Sequence, residues 1–288
     1  MSSTPLDSVA VVTVSYNSGR HLHKFLASVR SSERFAVRIV VADNGSADID
    51  TTRAACAEFS AELLELGDNF GYGGAINRAI ATLPPEITAI LVTNPDVEMA
   101  AGAIASLAAA LDELPTAGAV GPRVLNSDGT VYPSARQLPS LRAGTGHAFF
   151  MRVWPGNPWT ARYLTDVSES SETKETGWLS GSCLMVRRSA FDAIGGFDDA
   201  FFMYFEDVDL GYRLGKSGWH NFYVPEAVVT HTGAHSTSTE SGRMLQAHHK
   251  SAYLYLARKY SAWYLAPLRW VLHGALSVRS WWLTRAAR

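Results

Sequence analysis

The 288-residue chain is poor in cysteine, with only Cys56 and Cys183. Two thiols are too few for a disulfide framework and match no metal-ligand spacing, so both read as small buried residues. A reducing, cytoplasmic setting is the expectation. Long hydrophobic runs are lacking as well. No stretch reaches the roughly 18 uncharged apolar residues that a spanning helix needs. The nearest approach, Trp263 to Leu283, is interrupted by Arg269 and Arg279. Met1 to Asp7 has no basic start followed by an apolar core, so no signal peptide is expected. A strong charge of one sign is also missing. With 25 Lys and Arg against 27 Asp and Glu, the formal net charge is -2, which gives no general attraction to nucleic acid. There is no internal repeat and no low-complexity segment.

What is present describes a folded protein: 47% hydrophobic residues and 18% charged. The length suits one large core with additions. Val9 to Val14 reads as a buried strand, followed by a helix capped by Asn17 or Ser18 with Leu22, Phe25, Leu26 and Val29 at helical spacing. A second strand runs from Val37 to Ala42, a helix from Thr51 to Phe59, and a third strand from Leu63 to Leu66. The loop Gly67 to Gly74 leads to a helix holding Ile76 and Ile80, and a fourth strand ends at Thr93. This alternation predicts an α/β fold with a doubly wound, mostly parallel sheet. Further on, a helix is expected over Gly102 to Leu114, a short strand at Gly118 to Gly121, and strands over Trp178 to Arg187 and Asn221 to Thr230. Between Arg123 and Thr176 the pattern weakens, as expected of an insertion that forms part of a substrate pocket.

Polar residues gather where strands end, which is where parallel sheets bind ligands. Ser15-Tyr16-Asn17 and Asp43-Asn44-Gly45-Ser46 follow adjacent strands. Each turn alone suits capping. Together they suggest a nucleoside site, with Tyr16 covering a base and Asp43 accepting its imide hydrogen. Asn69-Phe70-Gly71-Tyr72-Gly73-Gly74 fails as a dinucleotide fingerprint, since Ile76 occupies the sixth position. Its glycines would let the backbone approach a diphosphate at a helix start. Asp96, in Asn94-Pro95-Asp96, is the natural ligand for Mg²⁺ or Mn²⁺. His231, at another strand end, completes the metal shell or serves a structural role. In Glu206-Asp207-Val208-Asp209, prefaced by Phe201-Phe202-Met203-Tyr204-Phe205, apolar surroundings raise a carboxyl pKa, which suits a base acting on an alcohol. One of these acids is expected to be that base and the others structural.

Taken in order, these segments resemble an inverting family 2 glycosyltransferase with the GT-A fold. The resemblance rests on Val12 to Asn17, Asp43 to Ser46, Asn69-Phe70-Gly71 with Asn77, Asn94-Pro95-Asp96, Gly181-Ser182-Cys183-Leu184, Gly195-Gly196-Phe197-Asp198, Glu206 to Asp209 and His231. Val131 to Gln137, Asn157 to Thr160, Gly177 to Ser182, Ala234 to Thr237 and Ala247 to Ser251 narrow it to actinobacterial rhamnosyltransferases of the WbbL type. That likeness implies dTDP-L-rhamnose as donor and N-acetylglucosaminyl-diphospho-decaprenol as acceptor, in cell-wall linker synthesis. It implies Asp207 as the base, and Ser15, Tyr16, Asn17, Asp43, Asn69, Gly71, Asn77, Asn94 and Asp96 around the donor. Trp178, Gly181, Ser182 and Glu206 would meet the acceptor, and Asp96 with His231 would hold the divalent cation. One departure is Asn94, which replaces the first Asp of the usual D-x-D motif and offers only a neutral amide oxygen. The rival readings are transfer of another sugar such as galactofuranose, and a silent sugar-nucleotide-binding scaffold.

The implied division is a nucleotide-sugar half at 1–97, a catalytic and acceptor half at 98–240, and a basic, apolar extension at 241–288. From Arg258 onward there are six Arg or Lys residues and no acid. On a helix from Arg269, a narrow polar stripe through His273, Ser277, Ser280 and Thr284 would lie beside Trp270, Leu272, Trp281 and Trp282. Such a helix suits peripheral contact with an anionic membrane. The alternative is packing on the core or on a second subunit of a homo-oligomer.

Overall fold

The computed structural model describes residues 6–33, 37–139, 167–232 and 241–274. Its centre is a nine-stranded sheet. The first strands are β1 (Val9–Ser15), β2 (Arg38–Asp43), β3 (Glu62–Glu65) and β4 (Ala89–Thr93). They lie side by side in the order β3-β2-β1-β4, all parallel. The intervening helices are α1 (Gly19–Ser32), α2 (Ile49–Glu58) and α3 (Gly71–Ala81). Because the chain runs outward through β2 and β3 and then returns to the other side of β1, the β1/β4 boundary is a topological switch point.

The sheet continues through β5 (Val97–Met99), β6 (Ala117–Asn126), β10 (Cys183–Arg187) and β11 (His220–His231). β10 is antiparallel to both β4 and β6, whereas β11 runs parallel to β6 and antiparallel to β5. β8 (Lys174–Thr176) pairs with β11, and β7 (Ala135–Arg136) pairs with β9 (Trp178–Leu179) in a separate ribbon. The remaining helices are α4 (Ala103–Glu113), α5 (Arg188–Ala193), α6 (Glu206–Lys216) and α7 (Ser241–Lys259), with a further helical stretch at 266–274.

Strand alternation explains the two-sided core. In β1, Val9 and Val11 join Leu22, Phe25, Leu26 and Val29 of α1 and Ile104, Leu107 and Leu111 of α4. Ala10, Val12 and Val14 face the other way, against Ala75, Ile76, Ala79 and Ile80 of α3 and Leu210 and Leu214 of α6. A third cluster, of Phe201, Val208 and Tyr255, joins α7 to the segment leading into α6.

Three expected elements differ. The segment from Trp178 to Arg187 is two strands, because the Ser180–Ser182 turn breaks its apolar run; the Ser180 N–H instead donates to the Ser134 carbonyl (2.7 Å). The strand expected at Gly118 to Gly121 covers ten residues, extended by parallel pairing with β11. The glycine loop is shorter than expected, since α3 already begins at Gly71. Of the expected membrane helix, residues beyond 274 lie outside the described residues, as do Asn157 to Thr160 and Ala234 to Thr237.

Candidate active site

The candidate residues come together at one end of the sheet. Ser15 and Asp43 close β1 and β2 in register, Thr93 closes β4 opposite Thr13, and Cys183, opposite Thr93, opens antiparallel β10. The Asn94 N–H donates to the Ser182 carbonyl (2.9 Å), fastening this end of β4 to the start of β10. His231, the last residue of β11, pairs with Val97 immediately after Asp96.

On the nucleotide side the turns hold one another. Asp43 Oδ1 accepts the Ser46 N–H (2.9 Å), while its buried Oδ2 has no partner. Asn17, left-handed at φ 54°, accepts the Ala47 N–H on Oδ1 (2.8 Å), and its own N–H donates to Ser46 Oγ (2.9 Å). Its amide thus ties the β1 turn to the β2 turn and does not cap α1. The Ser15 hydroxyl is buried against Thr52 (3.4 Å), so what this residue offers the site is backbone. Tyr16, in contrast, is 52% exposed, an open ring at the mouth.

The buried Asn44, which the sequence reading mentioned only as part of a turn, organises the next loop. Its Nδ2 donates to Asn69 Oδ1 (2.9 Å) and to the Gly71 carbonyl (3.2 Å), and its Oδ1 accepts the Phe70 N–H (2.9 Å). Asn69 Oδ1 also accepts the Gly71 N–H (3.0 Å). The glycines here pack closely against the segment at 197–202. A Cβ on left-handed Gly71 would run into the Phe202 carbonyl, and one on Gly73 would lie 2.8 Å from Phe197 Cβ. Asn77 is held by the turn at Phe197. Its Oδ1 accepts the Phe197 N–H (2.9 Å) while Nδ2 donates to the Phe197 carbonyl (2.8 Å) and Asp199 Oδ1 (3.0 Å). Both ends of the amide are occupied.

These contacts carry the donor side onto the segment that presents the acids. Tyr204 and Phe205 are both left-handed, with φ of 66°, and α6 begins immediately afterwards at Glu206. Asp207 Oδ2 accepts the Gly181 N–H (2.9 Å) and Oδ1 accepts the Val208 N–H (2.8 Å). The Tyr72 hydroxyl donates to the Gly181 carbonyl (2.6 Å), supporting the same turn, a role that no local pattern signals. Burial raises the Asp207 pKa, while its backbone hydrogen bonds oppose the rise. Glu206 is pushed up to about 8, first by burial and then by the Asp207 charge, and its Oε2 has no partner. Two neighbouring carboxyls that share one proton titrate as a pair. The N–H donors at Asp207 favour its ionised form, so the shared proton belongs on Glu206. Asp209 is different: it is bound to Arg213 (2.6 Å), which also donates to the Ile194 and Gly196 carbonyls (2.9 and 2.7 Å). That buried ion pair secures α6.

Of the other expected acceptor residues, Ser182 lies beside Ser180 (Oγ–Oγ 3.0 Å) on the turn that carries Gly181. Trp178 packs against the Phe201–Val208–Tyr255 cluster, with Gly211 of α6 close to its Cβ, a placement that supports α6 from below.

Among the described residues no three His, Cys, Asp or Glu side chains gather around a metal position. His231 Nε2 and Asp96 Oδ1 do lie 3.1 Å apart, both largely buried. Asp96 Oδ1 and His231 Nδ1 have no hydrogen-bond partner. The Thr232 N–H and hydroxyl both donate to the Asp96 carbonyl (2.9 Å each), and Tyr132 lies edge-on to His231 at 6.0 Å. One carboxylate and one imidazole with unfilled atoms fit a divalent cation that takes its other ligands from a bound diphosphate and water.

A switch-point sheet with polar strand ends, a paired acid and histidine, and a desolvated carboxylate defines the GT-A class of nucleotide-sugar transferase. In keeping with that class, residues 10–195 match the model for glycosyl transferase family 2. The chain belongs to that family. It is 48% identical over 98% of its length, and 94% of the relative's, to the N-acetylglucosaminyl-diphospho-decaprenol L-rhamnosyltransferase of Mycobacterium tuberculosis (strain CDC 1551 / Oshkosh). It is 26% identical to rhamnosyltransferase WbbL of Escherichia coli (strain K12), over 87% of this chain and 93% of the relative. Among solved structures, a Pyrobaculum calidifontis mannosyltransferase in complex with GDP-Man and Mn²⁺ has a TM-score of 0.57 at 18% identity, covering 97% of this chain and 73% of that one. At that identity the likeness concerns the fold.

Proposed function

We infer that this chain transfers L-rhamnose from dTDP-L-rhamnose to N-acetylglucosaminyl-diphospho-decaprenol with inversion, in assembly of a cell-wall linker. The observation that carries the reaction type is Asp207, half-buried and held by the Gly181 and Val208 N–H groups beside a carboxyl pushed up to about 8. The choice of substrates rests on the near full-length likeness to the mycobacterial rhamnosyltransferase.

Asp207 takes the proton from the acceptor hydroxyl, whose oxygen attacks the anomeric carbon as dTDP leaves from the opposite face. Glu206, protonated, leaves that role to Asp207 and faces the acceptor. Tyr16 stacks on the nucleobase, Asp43 Oδ2 accepts its imide hydrogen, and Asn17 keeps the two turns together. The Asn44–Asn69–Gly71 network shapes the loop beside the sugar diphosphate, and the Gly181–Ser182 turn meets the acceptor. Asp96 and His231, next to Asn94, would hold Mg²⁺ or Mn²⁺, which supplies positive charge for the leaving diphosphate. Residues 1–97 thus serve the donor and 98–240 the base and acceptor, within one continuous sheet.

The extension from 241 reaches the membrane on which a polyprenyl acceptor resides, on the cytoplasmic face. Among the described residues no helix is long and apolar enough to cross a bilayer. However, Trp263 (85% exposed), Tyr264, Trp270 and Val271, on either side of Arg269 in sequence, are exposed aromatic and apolar side chains. That composition suits an anionic interface. Deleting residues 262–288 is expected to abolish sedimentation with anionic liposomes and leave dTDP-rhamnose binding unchanged. Retained sedimentation would overturn the membrane contact, and a dimer-to-monomer shift would assign the surface to a subunit interface.

A donor panel with a lipid-linked N-acetylglucosamine acceptor tests the whole reading. Transfer from dTDP-L-rhamnose, and not from UDP-galactofuranose, is the expected result. Donor binding without transfer, or preference for another sugar, would overturn it.

A further inference from the structure

The two left-handed aromatics ahead of the acids call for an explanation outside their own segment. Among the described residues only four non-glycine positions have positive φ, and Tyr204 and Phe205 are consecutive. Side chains with a Cβ disfavour that conformation, which persists only where surrounding structure enforces it. Neighbouring backbone bonds anchor the segment on either side: Phe201 N–H donates to the Asp198 carbonyl, Tyr72 N–H to the Phe202 carbonyl, and Asp209 N–H to the Phe205 carbonyl. The middle of the segment is met by one face of α7. Its residues 248, 251, 255 and 258 recur at the three- and four-residue spacing of a single helical face. The buried Ser251 hydroxyl donates to the Met203 carbonyl (2.8 Å). His248 lies edge-on to both Tyr204 (5.6 Å) and Phe205 (5.4 Å), and Tyr255 packs on Phe205 (5.8 Å) and Tyr212 (5.9 Å). Arg258 pairs with Asp198 and lies over the Phe201 ring, securing the entry to the segment.

We propose that α7 is a positioning clamp for the base: Ser251, with His248 and Tyr255 beside it, holds the left-handed Tyr204–Phe205 backbone that sets Asp207 against the Gly181 N–H. These are positioning residues, acting through the backbone of 203–205 and touching no substrate. The extension thereby has a part in turnover separate from any contact with lipid. The proposal rests on the assignment of Asp207 as base, and its test separates the two.

Ser251→Ala in the full chain removes one hydroxyl and leaves the helix intact. The expected result is a fall in kcat of roughly 10- to 100-fold, the scale of a small misplacement of a reacting group, with donor KM within about 2-fold of native. Amide exchange should quicken in peptides from 198–210 and stay native in β1 and β4. Adding Tyr204→Gly should restore most of the lost kcat, because glycine adopts positive φ without a steric penalty. Native kcat and native exchange in Ser251→Ala would overturn the clamp. So would faster exchange throughout the chain, which marks a general stabiliser, or a defect that Tyr204→Gly leaves unrepaired. If Asp207→Asn kept full turnover while Ser251→Ala still loosened 198–210, the clamp would stand and the choice of base would fall.

Discussion

The two halves of the site hold their polar groups in opposite conditions. On the nucleotide side, Asn17, Asn44, Ser46 and Asn69 tie the neighbouring turns together through side chains and backbone, although the buried Asp43 Oδ2 and Asp48 Oδ1 have no hydrogen-bond partner. On the acid side, His231 Nδ1 and Glu206 Oε2 have no hydrogen-bond partner, and Asp96 Oδ1 has only its close contact with His231 Nε2 (3.1 Å). Glu206 and Asp207 also follow two residues in a disfavoured backbone conformation. A satisfied network is rigid and supplies shape. Unfilled, desolvated groups carry free energy that substrate, proton or cation can release on arrival. In this chain recognition surfaces are preformed, and chemical groups are left wanting. Substitutions on the two sides should therefore fail differently.

The sharpest break is expected at Asp207. Asp207→Asn preserves shape and one acceptor oxygen but removes the base, so kcat should fall roughly 10²- to 10⁴-fold. Binding of dTDP, which depends on the other side, should remain native. Steady-state turnover combined with calorimetric dTDP titration checks both halves of the statement. Near-native turnover would transfer the base role to Glu206.

Asp96 comes next. Asp96→Ala, or an excess of chelator on the native chain, should lower transfer on the order of 10²-fold, the scale set by losing a charge-stabilising group at a leaving oxygen. His231→Ala should retain activity at a raised cation concentration. Direct titration of Mn²⁺, read by its relaxation of water protons with dTDP present, should weaken in both variants. Full turnover in chelator would remove the cation from the reaction. Asn94 in place of an acid makes this affinity especially dependent on bound diphosphate, so Mn²⁺ binding should be much weaker when dTDP is withheld.

The same contrast explains how much could be read from the residues alone. Runs such as Val9 to Val14 and Ala89 to Thr93 carry their strand identity locally, and Asp43, Asp96 and His231 are legible because each follows such a run. The break at Ser180–Ser182 was not, since Leu179, Cys183 and Leu184 continue an apolar pattern and the Ser134 carbonyl that takes the Ser180 N–H comes from elsewhere. Asn44 and Tyr72 were missed for a related reason. Their partners lie 25 to 27 and 109 residues away in sequence, and no local pattern encodes that distance. The grip of Asn77 on Phe197 was hidden in the same way, because its place in the family motif does not say that its amide meets a residue 120 positions away.

A moderate effect is expected on the preformed side. Asn44→Ala removes three hydrogen bonds from a buried loop and leaves the Phe70 N–H without its acceptor. Loss of about 1–3 kcal/mol of stability follows from such an orphaned group. Donor KM should rise roughly 10-fold, with kcat within a few-fold of native. A change in kcat alone would contradict the division between the halves.

Glu206→Gln should change turnover least and alter how stability responds to pH. Glu206 has its pKa raised from 4.5 to about 8 in the folded chain. Between those values the folded state holds a proton that the unfolded state has released, so the unfolded state binds fewer protons. Stability must then fall as pH rises across that window, by at most about 1.4 kcal/mol per pH unit from this group, and level off above it. The fall is the reverse of that given by a carboxyl with a depressed pKa. Glutamine keeps a neutral, hydrogen-bonding side chain at every pH and removes this dependence. Thermal melts at pH 5, 6.5 and 8 should therefore show the variant gaining on the native chain as pH rises, with the two nearly equal at pH 5. Parallel curves would mean that Glu206 is already ionised in the folded protein, and the shared proton would have to reside on Asp207.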